Sequence, residues 1–216
     1  MISEMVMVPA EHAVLAGDLV VPAQVPAVVV FAHGSGSSRH SVRNRVVAAE
    51  LHRAGLGTLL MDLLTEREER EDAATAEHRF DIPMLSGRLV AAVDWLAQQP
   101  ETGGLPVALL GADTGAAAAL VAAVERPERV CAVVSRGGRP DLAGDDLARV
   151  RAPVLLVVGG GDHTVLDFNR EAAARLSARH ELHVVPGATH LFQEPGALEE
   201  VAEAAGRWIL AQETTG

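Results

Sequence analysis

The sequence predicts an α/β protein built on a mostly parallel, doubly wound sheet that is flanked by helices. Apolar runs of strand length alternate with amphipathic stretches of helix length along the 216 residues. Several apolar runs show no polar alternation, which is typical of parallel strands buried on both faces. No linker rich in Pro or Ser interrupts this order, so we expect a single domain over residues 1–216.

Composition narrows the class of protein and its partners. A hydrophobic content of 49% with 22% charged residues is typical of a globular protein with one sizeable core. The net charge of −11 argues against nucleic acid or an anionic membrane as a partner. The sequence has no signal-peptide pattern, no long apolar span and a single cysteine, so we expect a cytoplasmic location. The oligomeric state is left open.

The individual elements follow from apolar patterning and turn residues. Residues 6–8 and 15–21 predict an antiparallel hairpin at an edge of the sheet. The remaining strands are predicted at 27–32, 57–63, 107–110, 130–135, 153–159 and 182–185. Helices are predicted at 42–54, 83–99, 116–124, 166–176 and 198–210. The charged run 65–76 is interpreted as a solvated loop or helical turn, with a cover over the functional site as the alternative.

One turn joins a strand to a helix with the spacing Gly111-Ala112-Asp113-Thr114-Gly115. This is the spacing of a nucleophile elbow, in which a sharp turn exposes one side chain above the end of a parallel sheet. Glycine is needed at both flanking positions because a Cβ there would collide with the neighbouring strand or helix. The central residue of such a turn is usually Ser, and here it is Asp113.

Polar residues gather where the predicted strands end, which is where parallel sheets carry their sites. Asp113, Asp162 and His190 occur in the chain order nucleophile, acid, base. Singly, an aspartate after a strand is often a turn residue or helix cap, and a lone histidine is often structural. Because all three fall at strand ends in the correct order, we interpret them as the catalytic residues.

Four segments carry a resemblance to a known family. They are VFAHGSGSSR at 30–39, the elbow, SRGGRP at 135–140 and GATHLF at 187–192. The chain resembles an α/β-hydrolase of the dienelactone-hydrolase-like group over nearly its whole length. The resemblance implies an α/β-hydrolase fold without a large lid domain, and it matches the family's acid and base to Asp162 and His190. In the family the elbow centre is Ser or Cys, so Asp113 puts ester and lactone hydrolysis in question but not the fold.

The remaining candidates would bind the substrate. The backbone N–H of Thr114 is expected as the first oxyanion donor, and the resemblance suggests Gly34 or Ser35 for the second. Candidate substrate-binding side chains are those of His33, Arg39, His78 and Arg136. The group Arg39, His40, Arg43 and Asn44 is interpreted as an exposed helix start, with a carboxylate-binding cluster as the alternative. No ligand spacing for a metal and no phosphate-loop Lys is present, so we expect a small-molecule substrate without metal or cofactor.

An aspartate nucleophile favours attack on a saturated carbon. Attack on an ester would give a mixed anhydride whose carboxylate leaves more easily than an alkoxide. Opening an epoxide or displacing a halide instead gives an alkyl ester of Asp113, which water activated by His190 could hydrolyse. Haloalkane dehalogenases and epoxide hydrolases resemble the chain in this aspartate. However, Thr114 stands where dehalogenases usually place Trp, and the chain has no Tyr to protonate an epoxide oxygen.

Three hypotheses follow from the aspartate. The first is a hydrolase that works through an aspartyl ester on a small epoxide- or halide-type substrate. The second is an esterase or lactonase scaffold in which Asp replaces the Ser nucleophile, leaving a binding protein or an inactive variant. The third is general-base catalysis by Asp113 or His190 without a covalent step.

Overall fold

A computed structural model describes residues 1–34 and 36–213, and these residues form one eight-stranded sheet. The strands, in chain order, are β1 (Ile2–Ala10), β2 (Ala13–Val21), β3 (Val28–Ala32), β4 (Gly57–Met61), β5 (Val107–Ala112), β6 (Val130–Arg136), β7 (Val154–Gly159) and β8 (His180–Val185). Their order across the sheet is β1-β2-β4-β3-β5-β6-β7-β8. The hairpin β1–β2 and the pair β2–β4 are antiparallel, whereas every other neighbouring pair is parallel. The predicted fold class and edge hairpin are therefore confirmed.

Six α-helices are described, together with two 3-10 segments, the second of which is kinked at Gly144. The helices are α1 (Val42–Arg53), α2 (Glu66–Thr75), α3 (Ile82–Gln98), α4 (Thr114–Glu125), α5 (His163–Arg175) and α6 (Ala197–Glu213). The 3-10 segments are His78–Phe80 and Pro140–Arg149, and the sequence patterns predicted neither. In the described residues only α2 and the first 3-10 segment stand between β4 and α3, so no large lid domain is inserted there.

The helices cover both faces of the sheet, which explains the uninterrupted apolar strands. In β3 the side chains of Val29 and Phe31 belong to the core on the side of α1 and α6. Val28 and Val30 belong to the core on the side of α3 and α4. Because both faces are dry, the central strands need no polar alternation. No described helix has the length and apolar composition that crossing a lipid bilayer requires.

Of the two structures expected for the charged run 65–76, a loop or a helical turn, the helical one is present and extends over Glu66–Thr75. Thr65 accepts a hydrogen bond from the Glu68 backbone N–H, and the Glu68 carboxylate accepts one from the Thr65 N–H, which makes a capping box. The Glu68 carboxylate is also paired with Arg88 of α3, with nitrogen–oxygen distances of 2.6 and 2.7 Å. This pairing with a distant residue ties α2 to the body of the protein.

Candidate active site

The turn between β5 and α4 has the geometry of the predicted elbow. Asp113 has φ 50° and ψ −125°, a strained conformation for a residue with a side chain. A Cβ on Gly111 would lie 2.5 Å from Ala116 Cα, and one on Gly115 would lie 2.2 Å from the Ala32 carbonyl oxygen. The two glycines thus let β5, α4 and β3 approach closely enough to hold Asp113 in this conformation.

A backbone hydrogen bond from outside the elbow also holds Asp113 in place. The Arg139 N–H donates a hydrogen bond of 2.9 Å to the Asp113 carbonyl oxygen. The Arg139 guanidinium is paired with Asp141 and lies 4.2 Å from the ring centroid of Phe168. The hydrogen bond to Asp141 raises the pKa of Arg139, and the charge of Asp113 adds a smaller contribution. Sequence reasoning did not assign Arg139 to the site, although the SRGGRP segment contains it.

The predicted acid and base lie in direct contact. His190 Nδ1 is 2.8 Å from Asp162 Oδ2, and a carboxylate can only accept, so we assign the proton to Nδ1. The other Asp162 oxygen accepts a hydrogen bond from the Val165 N–H and caps α5. One carboxylate therefore starts a helix and also orients an imidazole, which leaves Nε2 of His190 as the basic nitrogen.

Asp113 and His190 line the same small cavity, of about 70 Å³. The other lining residues are Gly34, Ser37, Arg43, Ala112, Arg136, Gly137 and Leu191. The loop after β3 thus lies against the elbow: a Cβ on Gly34 would be 2.6 Å from Asp113 Cβ. The cavity brings the predicted nucleophile, the predicted base and Arg136 together.

Two of the residues expected to donate to an oxyanion, Thr114 and Gly34, lie next to Asp113. Thr114 is the first residue of α4 and is buried, and the first N–H groups of a helix have no partner within the helix. Gly34 lies directly beside Asp113, so close that no side chain would fit between them. Ser35 lies outside the described residues.

His33 is a buried residue whose two ring nitrogens both contact the backbone. Nδ1 donates to the Gly34 carbonyl oxygen at 3.0 Å, and Nε2 accepts from the Leu63 N–H at 2.8 Å. Burial lowers the pKa of His33, which favours this neutral form. Neither nitrogen is free to reach a ligand in this arrangement, so the ring holds the loop after β3 against the chain that follows β4.

Arg39 and His78 are engaged with carboxylates outside the small cavity. The Arg39 guanidinium is paired with Asp62, and its backbone N–H donates to the same carboxylate at 2.7 Å. His78 Nε2 lies 3.3 Å from a Glu71 oxygen. The sequence could not show that these residues already have partners.

Arg136 is the predicted substrate-binding residue that faces Asp113 and His190 across the cavity. It is buried at the end of β6, and its Nη2 donates to Asn44 Oδ1 at 2.9 Å. Its Nη1 is buried without a hydrogen-bond partner among the described residues. Burial, with a smaller contribution from the charge of Arg43, lowers the pKa of Arg136 to about 10. The side chain is therefore still a cation at neutral pH.

A larger cavity, of about 290 Å³, lies on the other side of the loop after β3. Gly34 and Ser37 belong to the walls of both cavities, and Thr114 lines the larger one. Glu69, Asp72 and Ala73 of α2 form part of its wall, so the charged run borders this cavity. Its apolar wall comes from Leu63, Leu64 and Leu85.

A metal centre is not evident in the part of the chain that the structure describes. No group of three or more His, Cys, Asp or Glu side chains there could hold a metal ion.

Solved structures similar to this chain share its fold. A dienelactone hydrolase from Anabaena variabilis is 53% identical, with a TM-score of 0.94 and 97% of each chain covered. Est1E from Butyrivibrio proteoclasticus has a TM-score of 0.80 at 16% identity, covering 98% of this chain and 99% of its own. At that identity the second likeness concerns the fold alone.

Curated relatives are longer than this chain. A protein of Mycobacterium tuberculosis named "Putative phosphoribosyl transferase" is 56% identical over 207 residues. The match covers 96% of this chain but 46% of the relative, so this chain spans about half of that protein's length. The transferase name therefore belongs to the longer protein.

The model of the dienelactone hydrolase family matches residues 13–213, which include the elbow, Asp162 and His190. This match covers most of the chain, and the Anabaena structure agrees with it in sequence and fold. On these grounds the chain belongs to the dienelactone hydrolase family, a family of hydrolases.

Proposed function

We propose that the chain hydrolyses a small electrophilic substrate at a saturated carbon, through an ester formed on Asp113. The observation that carries this proposal is the aspartate at the centre of the strained elbow, in one cavity with a histidine that a second aspartate orients. In the first step a carboxylate oxygen of Asp113 bonds to the carbon, and the leaving group departs with the electron pair.

The second step uses His190. Its Nε2 removes a proton from water, and the resulting hydroxide adds to the carbonyl carbon of the Asp113 ester. The Thr114 N–H stabilises the oxyanion that forms. Collapse expels the alkoxide, which takes the proton from His190, and Asp113 is regenerated. The overall change is R–X with water giving R–OH, a proton and X⁻.

The available proton donors favour a leaving group that departs as a stable anion. Opening an epoxide calls for an acid to protonate the oxygen, and the chain has no tyrosine. Both nitrogens of His33 bond to the backbone, and Arg39 and His78 have carboxylate partners. Halide-type substrates need no such acid, so they fit these surroundings better than epoxides do.

The experiment is a single turnover in ¹⁸O-labelled water, followed by mass spectrometry of the elbow peptide. Bromoacetate, 1,2-dibromoethane and styrene oxide serve as probes, with bromide release measured for the first two. We expect the label to enter the Asp113 carboxylate, because hydrolysis attacks its carbonyl carbon. Turnover without label in Asp113 would overturn the covalent step and favour general-base catalysis.

A matched variant tests whether the scaffold is instead a disabled esterase. Asp113→Ser restores the usual family nucleophile next to an unchanged His190 and Asp162. We expect this variant to lose bromide release. If it gains strong activity on 4-nitrophenyl acetate while the parent chain releases no bromide from any probe, the aspartyl-ester proposal fails.

A further inference from the structure

Arg136 is a buried cation that forms no ion pair with any carboxylate of the described residues. Its only side-chain hydrogen bond among the described residues is to the neutral amide of Asn44, and its Nη1 has none. None of the ion pairs that the structure describes includes it. A buried charge without a counter-ion is strongly destabilising, so such groups are normally paired.

A second arginine adds to this imbalance. Arg43, in the first turn of α1, lines the same cavity and makes no hydrogen bond or ion pair within the described residues. Burial is the main cause that lowers the pKa of Arg136, and the charge of Arg43 lowers it further. Arg45, two residues further along α1, contrasts with it because it lies 3.7 Å from Asp18.

The wall of the cavity places the two arginines beside the reacting groups. Arg136 and Arg43 line it together with Asp113 and His190, so an anion bound to the arginines would lie beside the reacting groups. With a volume of about 70 Å³, the cavity suits a group of a few atoms. The two cations would also offset the repulsion between Asp113 and an approaching anionic group.

We propose that Arg136, oriented by Asn44 and assisted by Arg43, forms a binding subsite for a small monovalent anion next to Asp113. The anion is either the leaving group of the displacement or a carboxylate carried by the substrate. Both place a single negative charge on Nη1 of Arg136 through a charge-assisted hydrogen bond. This assignment rests on the proposed function, because the anion is a part of the substrate.

Anion binding can be measured without turnover, by thermal unfolding of the full chain in increasing sodium bromide or sodium acetate. A ligand that binds only the folded state raises the unfolding temperature with concentration. We expect such a rise for the parent chain and none for Arg136→Met. Arg43→Gln should weaken the apparent affinity about tenfold, the loss of one charge-assisted contact.

Arg45→Gln is the control, since it removes a charge from the same helix outside the cavity and should titrate like the parent. A stronger effect of bromide identifies the leaving group, and a stronger effect of acetate identifies a substrate carboxylate. The proposal is wrong if neither anion stabilises the parent, or if Arg136→Met and Arg43→Gln respond as the parent does. Should Arg136→Met not fold, Arg43→Gln against Arg45→Gln decides the question.

A further variant separates this subsite from the covalent chemistry. Asp113→Asn should remove ¹⁸O labelling but keep the anion response, and strengthen it, because the neighbouring negative charge is gone. Failure of the labelling experiment would therefore leave the anion titration interpretable. Loss of the anion response in Asp113→Asn would count against a subsite formed by the two arginines.

Discussion

The two cavities on either side of the loop after β3 differ in how their charged side chains are paired. In the larger cavity, Asp72 accepts hydrogen bonds from the Arg79 backbone N–H at 2.9 Å and from its Nε at 2.7 Å. In the smaller cavity, Arg136 and Arg43 have no carboxylate partner within the described residues. Asp72 is thus neutralised by an arginine of the chain, whereas Arg136 and Arg43 are not neutralised by any carboxylate of the described residues.

This difference separates charges that hold the fold from charges that are available to a ligand. A substitution that removes one partner of a neutralised pair leaves the other as an unpaired buried charge, so it should lower the stability of the fold. Removing an unneutralised charge should cost binding or catalysis and little stability. Substitutions in each cavity test the two halves of this contrast.

The largest effect is expected in the smaller cavity, from His190→Gln. Removing the base should lower turnover about a thousandfold, because general-base catalysis contributes on that order. The ester on Asp113 should then accumulate and appear as added mass on the elbow peptide. The unfolding temperature should not change, since the His190 side chain is 44% exposed.

His183→Gln is the matched control, because His183 also pairs with a carboxylate, 2.9 Å from Glu200, but lies away from both cavities. It should leave turnover unchanged. A His190→Gln protein that turns over within tenfold of the parent would remove the histidine from the mechanism.

The next effect concerns the wall that the two cavities share. In Gly34→Ala the new Cβ would lie 2.6 Å from Asp113 Cβ and 3.1 Å from the Ala112 carbonyl oxygen. We expect the displaced Asp113 to lower turnover about a hundredfold, the usual cost of a misplacement near 1 Å. Initial rates and denaturation curves are the measurements.

Gly87→Ala is its control, because a Cβ at this position in α3 meets nothing within 4 Å. It should stabilise the protein by about 0.5–1 kcal/mol, as alanine is the better helix former. If Gly34→Ala retains full turnover, the close approach of the loop to the elbow is not needed for catalysis.

The sequence was sufficient for the sheet and for placing Asp162 and His190 after strands, because both depend on local patterns. Apolar runs located the strands, and the glycine-rich turn before Asp162 placed it at a strand end. The same local patterns left a loop or a helical turn open for 65–76, where the structure has the helix Glu66–Thr75. Its stability depends on the pair formed by Glu68 and Arg88, which are 20 residues apart.

The arginines among the substrate-binding candidates show more clearly what the sequence does not reveal, which is whether a charged side chain is paired. Arg39 and Arg136 look alike in the sequence, as arginines that follow strands. The contact of Arg39 with Asp62 spans 23 residues and that of Arg136 with Asn44 spans 92. Whether an arginine is paired depends on such long-range contacts, so only the structure distinguishes the neutralised cation from the available one.

In the larger cavity, Arg79→Gln should destabilise the fold without a large effect on turnover. The substitution leaves the Asp72 carboxylate, which is 5% exposed, without its cation. Because Arg79 itself is 27% exposed, we expect about 2–3 kcal/mol in urea denaturation, below the full cost of breaking a buried pair. Arg67→Gln, which breaks an exposed pair with Glu71, should have little or no effect on stability, because water screens such pairs. Equal losses for the two variants would contradict the contrast between the cavities.

The smallest expected effect is a pH dependence at the pair that ties α2 to α3. The hydrogen bond from Arg88 is the main cause that lowers the pKa of Glu68 to about 2. Above the ordinary value of about 4.5 both the folded and the unfolded protein carry the carboxylate, so the stabilisation is complete. As the pH falls from 4.5 towards 2, the unfolded state binds the proton first and the stabilisation is lost. Since the side chain is 21% exposed, we expect about 1–2 kcal/mol from this group.

Urea denaturation of the parent and of Glu68→Gln between pH 6 and pH 3 isolates this contribution, because the other carboxylates titrate in both proteins. The difference in unfolding free energy should be constant above about pH 5 and should shrink as the pH falls below 4.5. A difference that does not depend on pH would mean that Glu68 holds α2 through packing rather than charge. In that case the wall of the larger cavity would not owe its stability to neutralised charge, and the comparison with the arginines of the smaller cavity would lose one of its two sides.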